Sequence, residues 1–432
     1  MMKVCIIGQG YIGVPTATLF ADNGCKVLGV DINPEIVSKL NKSQLHIEEQ
    51  GLEEKLKSAI AKDSYHASTN PEKADVFIIT VPTPNNTDDL SCDLTNVISA
   101  CKSIIPYLEK ENIVIIESTI SPLSTDNLIK PIFEKEGFVI GKDLYLAHCP
   151  ERVLPGKIIE ELINNDRIIG GVTPQCSDKV AKVYETFVKG KIMKTEAKTA
   201  EMSKCMENTF RDVNIALANE LVKICSKIGV NGLDVIELAN KHPRVNIHSP
   251  GPGVGGHCLA IDPYFIYSLA PKEAKMIKLA RDINNSMPRF VVDKTKKILE
   301  DIEDIKINSD NKTTKTPKIT ILGVAYKGNT DDTRESPALV IIELLKNEGF
   351  NITIHDSHVE DKSYCSFEEA IEDADICLVL SDHDEFKNLD FDLMVEKMKS
   401  PIVFDTKNIV KYDKKNNANK NKKVNVINYG KL

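Results

Sequence analysis

The sequence predicts an α/β fold: two parallel-sheet domains, one near each end, joined by a central helical domain with a long helix. Three observations carry this. Apolar β-branched runs alternate with helical stretches, the pattern of parallel βαβ units buried on both faces. Two distant parts of the chain look alike: KVCIIG (3–8), CKVLGVD (25–31) and ADVFIITVPTP (74–84) are mirrored by KITILG (318–323), NITIHD (351–356) and ADICLVLSDH (374–383). Between them, TAEMSKCMENTFRDVNIALANELVKICSKIG (199–229) reads as one long helix, apolar on more than one face.

In order along the chain, KVCIIG is a buried strand that runs into a glycine-rich turn and a helix near 11–23. A second strand follows and ends in Asp31, and ADVFIITVPTP is a further buried strand. The C-terminal part repeats the plan. KITILG is a strand, SPALVIIELLKNEG (336–349) a helix, and NITIHD a strand ending in Asp356. Both ends are therefore expected to be Rossmann-like. The boundaries expected are 1–190, 191–303 and 317–432. DIKINSDNKTTKTPK (304–318) reads as a linker and KYDKKNNANKNKK (411–423) as a solvated loop, with VNVINYGKL returning as an edge strand.

A chain of 432 residues is too long for one ordinary core, which agrees with several domains. The net charge of −8 gives no general basic field, so nucleic acid is not an expected partner. No apolar run is long enough to span a bilayer, and the apolar part of MMKVCIIGQG is too short for a signal peptide. The eleven cysteines are scattered, without a CxxC pair. They read as reduced thiols of a cytoplasmic protein, most of them small core residues such as Cys5, Cys225 and Cys377. No metal site is expected.

GQGYIG (8–13) is the first motif with chemistry in it. Gly8 allows a tight turn, Gly10 lets the backbone approach a pyrophosphate, and Gly13 allows close packing of helix on strand. Tyr11 and Ile12 lie within the same turn, and the helix N-terminus faces the phosphates. Asp31 is placed to accept ribose hydroxyls and to repel a 2′-phosphate, so NAD is expected rather than NADP. Thr83 in VPTP and Thr119 in STISP lie at ends of further strands, where open parallel sheets bind ligands. Each is equally well a turn-capping threonine.

On the long helix, Lys204, Asn208 and Arg211 fall at i, i+4 and i+7. They form a polar stripe on one face of an otherwise largely apolar helix. The run HPRVNIHSPGPGVGGHCLAIDPYF (242–265) carries glycine and proline at almost every turn and is expected to be neither helix nor strand. Cys258 ends its glycine cluster, and Asp262 follows four residues later. A nicotinamide cofactor takes a hydride from an alcohol without any cysteine. A cysteine in a glycine-rich loop of such an enzyme has a second use, trapping an aldehyde covalently so that it is oxidised again. Together the two features point to an alcohol carried through to an acid. The plainer reading is a structural loop with a buried cysteine.

These residues resemble the nucleotide-sugar 6-dehydrogenases, the family of the UDP-glucose and GDP-mannose enzymes. The resemblance covers nearly the whole chain in order: GQGYIG, VPTP, STISP, CPER, AEMSKCMENTFR, GPGVGGHC with Asp262, then GVAYKGNTDDTRESPA. Within the family, 242–265 looks most like the members acting on UDP-N-acetyl-mannosamine. The UDP-glucose members have a serine where this chain has His257, and usually Lys-Asp where it has Ile261-Asp262.

The resemblance implies a set of roles. Cys258 is the nucleophile that forms a thiohemiacetal and then a thioester. Lys204, with Asn208 beside it, stabilises the oxyanion. Asp262 and Thr119 hold a catalytic water. Glu151 in CPER acts in thioester hydrolysis, and Arg152 stands where the UDP-glucose members have an aromatic residue. Arg211, His242, Gly255 and Lys327 join the substrate site, and Arg334 the cofactor site. Arg244 enters a neighbouring subunit's site, so at least a homodimer acting on a UDP-sugar is implied. A protein that binds nucleotide without turnover, or a one-step alcohol dehydrogenase, would share the plan but would not need Cys258.

Overall fold

The computed structural model describes residues 1–47, 49–154, 156–301, 316–412 and 423–432. Most of the expected linker (304–315) and of the expected loop (413–422) lies outside the described residues. The chain divides into two compact units, Met1–Glu207 with Tyr264–Pro271, and Asn208–Pro263 with Lys272–Leu432.

The first unit is built on eight strands. They are β1 (Lys3–Ile7), β2 (Lys26–Val30), β3 (Tyr65–Ser68), β4 (Val76–Ile79), β5 (Asn112–Ile116), β6 (Leu144–His148), β7 (Arg167–Gly171) and β8 (Ile192–Glu196). The sheet order is β3-β2-β1-β4-β5-β6-β7-β8. All neighbours are parallel except β6 and β7. Continuous apolar runs suit this sheet because both faces are covered. Val4 and Ile6 pack into one core, Cys5 and Ile7 into the other, the period-2 alternation of a strand. The order reverses between β1 and β4, which places a ligand crevice at the carboxyl ends of those strands.

The second unit carries β9 (Lys318–Leu322), β10 (Asn351–His355), β11 (Ile376–Val379), β12 (Ile402–Asp405) and β13 (Asn425–Asn428). The order is β10-β9-β11-β12-β13, parallel throughout, and VNVINYGKL does supply the edge strand. The helix Pro337–Asn347 starts where the sequence says it should: the Ser336 hydroxyl accepts the N–H of Ala338, with proline in the first turn.

The long helix runs Ala197–Ile228, 32 residues, and the division between units falls within it. Two expectations are corrected. The helix is not largely apolar apart from one stripe: Glu201, Asn208, Thr209, Asp212 and Asn219 are all buried. Glu201, Asn208, Asp212 and Asn219 find partners on other segments, which offsets most of the cost of burial, although Asp212 Oδ2 has no hydrogen-bond partner among the described residues. The run 242–265 is irregular only to residue 261; a helix begins at Asp262 and continues to Leu269. Pro263 does not prevent it, because the first helical turn has no use for its missing N–H.

Candidate active site

In the first unit β1 ends at Ile7, and Gly8 turns the chain with φ of +96°. A Cβ at Gly13 would lie 1.9 Å from the Gly8 oxygen, so helix and turn touch backbone to backbone. A Cβ at Gly10 would meet nothing within 4 Å. That open side, facing the turn before the helix Gly13–Asp22, fits a dinucleotide pyrophosphate. Tyr11 is 41% exposed and Ile12 is half-buried. The half-exposed Asp31 follows β2. Its Oδ2 accepts the Gln9 N–H at 2.9 Å and its Oδ1 the Asn33 N–H at 2.9 Å. Each oxygen keeps a lone pair for a hydroxyl. Thr83 is buried and its hydroxyl donates to the Thr119 carbonyl at 2.6 Å, so it acts first as a tie between the β4 and β5 ends.

Glu151 and Arg152 follow β6. Glu151 is 9% exposed. Its Oε1 accepts the Arg152 N–H at 2.6 Å, and its Oε2 accepts from the Arg167 guanidinium at 2.7 Å. Arg152 pairs with Glu207 of the long helix at 2.7 Å and donates to the Asp166 carbonyl. Lys204 is half-buried on the same helix, one turn before Asn208. Glu201, buried one turn earlier still, accepts the N–H groups of Leu123 and Thr125 at 2.6 and 2.8 Å. This fixes the segment that follows STISP.

In the second unit one member of the polar stripe, Asn208, meets the cysteine loop. Asn208 Nδ2 donates to Asp262 Oδ2 at 2.6 Å, and both residues are buried. The Asp262 N–H donates to the Cys258 carbonyl at 2.8 Å. Cys258 is exposed, on the turn that opens the helix Asp262–Leu269. A helix N-terminus favours a thiolate there. The loop is pinned at its start, where Asn219 Oδ1 accepts the Gly251 N–H at 2.9 Å, and near its end, where Gly256 N–H donates to the Arg334 carbonyl at 3.0 Å. A Cβ at Gly255 would fall 2.6 Å from the Glu335 oxygen, so the loop lies against that segment. The Arg334 guanidinium forks onto Asp332 at 2.9 and 2.6 Å. That pairing first, with Tyr326 and Cys258 behind it, raises its pKa further. Burial and then Arg334 lower the pKa of His257, which keeps the imidazole neutral.

Arg211, His242 and Arg244 are exposed, and the Arg244 N–H donates to His242 Nδ1 at 3.3 Å. Lys327 is half-buried, its carbonyl accepting from Thr330. Two buried networks escaped the sequence reading. One joins Glu117, Arg167, Glu151 and Tyr184. The other joins Asp212, Arg281, Asn284 and Asn219. The only signal for either is a charged residue inside an apolar run, such as Arg167 opening RIIGG.

One face of the long helix stays uncovered. Met202, Met206, Phe210, Leu217, Ile224 and Ile228 are 39–64% exposed. At roughly 100° per residue they fall within an arc of about 80°. Among the described residues no helix is long and apolar enough to cross a membrane.

Comparison with known proteins places these features. Three models of the UDP-glucose/GDP-mannose dehydrogenase family match: the NAD binding domain over residues 2–188, the central domain over 198–286 and the UDP binding domain over 320–412. The chain is 50% identical over 415 residues to the UDP-N-acetyl-D-mannosamine dehydrogenase of Methanocaldococcus jannaschii, covering 94% of this chain and 92% of that one. The solved UDP-N-acetyl-mannosamine dehydrogenase of Staphylococcus aureus superposes with a TM-score of 0.88 at 52% identity, covering 99% of this chain and 98% of that one. An NDP-N-acetyl-D-galactosaminuronic acid dehydrogenase of Ralstonia solanacearum is 41% identical over 419 residues, 94% of this chain and 95% of that one.

Proposed function

The chain belongs to the UDP-glucose/GDP-mannose dehydrogenase family, and from that premise we propose that it oxidises the C6 alcohol of UDP-N-acetyl-D-mannosamine to the carboxylate. The observation that carries the reading is the exposed Cys258 on a turn held by Asp262 and Asn208, in a chain whose first unit fits NAD. When bound, NAD accepts a hydride at each of the two oxidations.

Cys258 attacks the intermediate aldehyde as thiolate, giving a thiohemiacetal, which the second oxidation turns into a thioester. Lys204 and the amide N–H that Asn208 does not spend on Asp262 oppose the negative oxygen, each worth about 3 kcal/mol to such a step. Thr119 and Asp262 take the water-holding roles. Glu151 accepts the proton of the water that adds to the thioester carbonyl carbon. The C–S bond breaks, Cys258 returns as thiolate, and the acid ionises to solvent. Per sugar, two NAD and one water are consumed and two NADH are formed. Arg152, Arg211, His242, Gly255 and Lys327 are assigned to the sugar nucleotide, and Arg334 to the cofactor side. In this reading 1–190 holds NAD, 191–303 the nucleophile and 317–432 the UDP moiety, in a cytoplasmic enzyme. The uncovered apolar face of the long helix supports a homodimer, with Arg244 reaching the neighbouring site.

A second sugar has an observation in its favour, the 41% identity to the N-acetyl-galactosaminuronic acid enzyme. An NADH assay over UDP-N-acetyl-mannosamine, UDP-N-acetyl-galactosamine, UDP-N-acetyl-glucosamine and UDP-glucose decides between them. The first is expected to lead by at least tenfold in kcat/KM, with two NADH per sugar. A ratio of one with free aldehyde, or no turnover on any of the four, defeats the reading.

A further inference from the structure

The buried cluster beside Glu151 has no part in the chemistry above. Arg167 opens β7 and is 5% exposed. Its Nη2 donates to Glu151 Oε2 at 2.7 Å and its Nη1 to Glu117 Oε1 at 2.8 Å. The guanidinium carbon lies 4.2 Å from the centre of the Tyr184 ring, and the Tyr184 hydroxyl donates to the same Glu117 oxygen at 2.7 Å. Glu117 and Tyr184 are almost wholly buried. One planar fork thus spans two carboxylates, backed by a ring that stops it from tilting.

Two buried carboxylates on one cation are expensive to keep unless something is gained. Glu117, buried just after β5, has no exposed surface to offer a ligand. Its Oε2 has no hydrogen-bond partner among the described residues, and burial, against the pull of Arg167, raises its pKa. Glu117 therefore serves as the anchor, and the other arm of the fork is aimed at Glu151. Glu151 alone of the two touches the surface, and its second oxygen is fixed by the Arg152 N–H. A base held by both oxygens keeps its orientation at no cost when water attacks.

We propose that Arg167 is a positioning residue for Glu151 in thioester hydrolysis, with Glu117 and Tyr184 holding the arginine in place. This rests on the role proposed for Glu151. It predicts a defect confined to the last chemical step, since the two oxidations do not use Glu151.

The test is a rapid-quench experiment on the full-length protein with NAD and UDP-N-acetyl-mannosamine. It follows NADH per Cys258 and the intact mass of the protein. Arg167→Lys keeps a charge but loses the fork. It is expected to give two NADH per site at rates within about threefold of the parent, then a steady state roughly 100-fold slower, with the acyl adduct retained on Cys258. Glu117→Ala is expected to show the same split at about tenfold, and Glu117→Gln to restore near-parental hydrolysis, because the amide still accepts from Arg167 and Tyr184. If Arg167→Lys fails to fold, the Glu117 pair gives the answer alone. The proposal is overturned if these variants lose the burst and the steady state together, or if they hydrolyse normally while Glu151→Gln accumulates the adduct. If Glu151→Gln itself accumulates none, it is the reading of Glu151 that falls.

Discussion

Gly10 and Gly13 should fail in opposite ways when replaced by alanine. At Gly13 the added methyl would sit 1.9 Å from the Gly8 oxygen and 2.9 Å from both the Gly8 carbon and Thr80 Oγ1. Two of these atoms are backbone, so no side chain can rotate away. Overpacking of this kind costs about 2–3 kcal/mol. At about 2–4 °C per kcal/mol for a domain of this size, Gly13→Ala should lower Tm by about 5–10 °C without ligand. At Gly10 the methyl meets nothing within 4 Å, and the residue is not among those with positive φ. Gly10→Ala should therefore keep Tm within about 2 °C, with a slight rise from the stiffer unfolded chain. Its methyl projects instead into the space that fits the pyrophosphate. A loss of about 1.5–3 kcal/mol there corresponds to roughly 10- to 150-fold weaker NAD binding. Differential scanning fluorimetry without and with NAD, followed by calorimetric titration, separates the two. The parent and Gly10→Ala should melt alike without NAD, and at equal NAD the parent should gain clearly more stability from it. If Gly10→Ala bound NAD normally, or Gly13→Ala melted like the parent, the placement of the cofactor on this turn would be wrong.

Three further outcomes are expected. Asp31→Ser should narrow the preference for NAD over NADP by at least tenfold in kcat/KM, because the carboxylate no longer repels a 2′-phosphate; equal use of both cofactors by the parent would remove that role. Cys258→Ser should bind both ligands yet lose several orders of magnitude in turnover while retaining part of the first NADH, whereas Lys204→Ala should lose the first NADH as well; near-normal turnover of Cys258→Ser ends the covalent mechanism. Asp356→Asn should cost about 1–3 kcal/mol at pH 7, since its carboxylate accepts from Val324, His358 and Val359 N–H groups and from His383. Burial pushes the Asp356 pKa up, but these contacts together outweigh it and lower it, so the stabilisation is present above the ordinary Asp value of about 4 and fades as pH falls through the depressed one. Urea melts at pH 7 and pH 3 should show the gap narrowed but not closed, because pH 3 is below the ordinary Asp value and still above the depressed one, and a constant gap would contradict the electrostatic origin.

What was legible in the sequence was whatever repeats at short range. The strand-turn-helix around Gly8–Gly13 and the mirrored strands of the C-terminal part were readable because apolar period and glycine placement act over a few residues. The pairing of Asn208 with Asp262 was half readable: the stripe and the loop were each visible, and their meeting at 2.6 Å was not. The buried face of the long helix was misread. Glu201, Asp212 and Asn219 are unexpected on the buried face of a helix that reads as largely apolar, yet each is buried and hydrogen-bonded to a segment 30 to 80 residues away. A local pattern holds no information about such partners. Separations of 50 and 16 residues likewise hid Arg167, whose partners Glu117 and Glu151 stand on the loops after β5 and β6.

The limit of local reading is clearest where the chain uses one device twice. Gly8 and Gly323 both turn the chain after a first strand, with φ of +96° and +87°. Asp31 and Asp356 both end the neighbouring strand, and each accepts the N–H of the residue after that glycine, at 2.9 and 2.7 Å. In the sequence the two aspartates are equivalent. In the structure only one is left open. Asp31 stays partly exposed and keeps an unspent lone pair on each oxygen, whereas the Asp356 side chain is fully buried. Its Oδ1 is taken by two further N–H groups, and its Oδ2 faces His383 Nε2 at 3.2 Å. His358 stacks on that imidazole, 4.4 Å between ring centres. A hydroxyl has no route to Asp356. The same strand-end carboxylate that suits a ribose in the N-terminal domain has become a structural clasp in the C-terminal one. A nucleotide bound by the C-terminal domain must therefore be recognised by groups other than this aspartate. The residue that decides between the two uses, His383, lies 27 positions beyond Asp356, at the end of another strand.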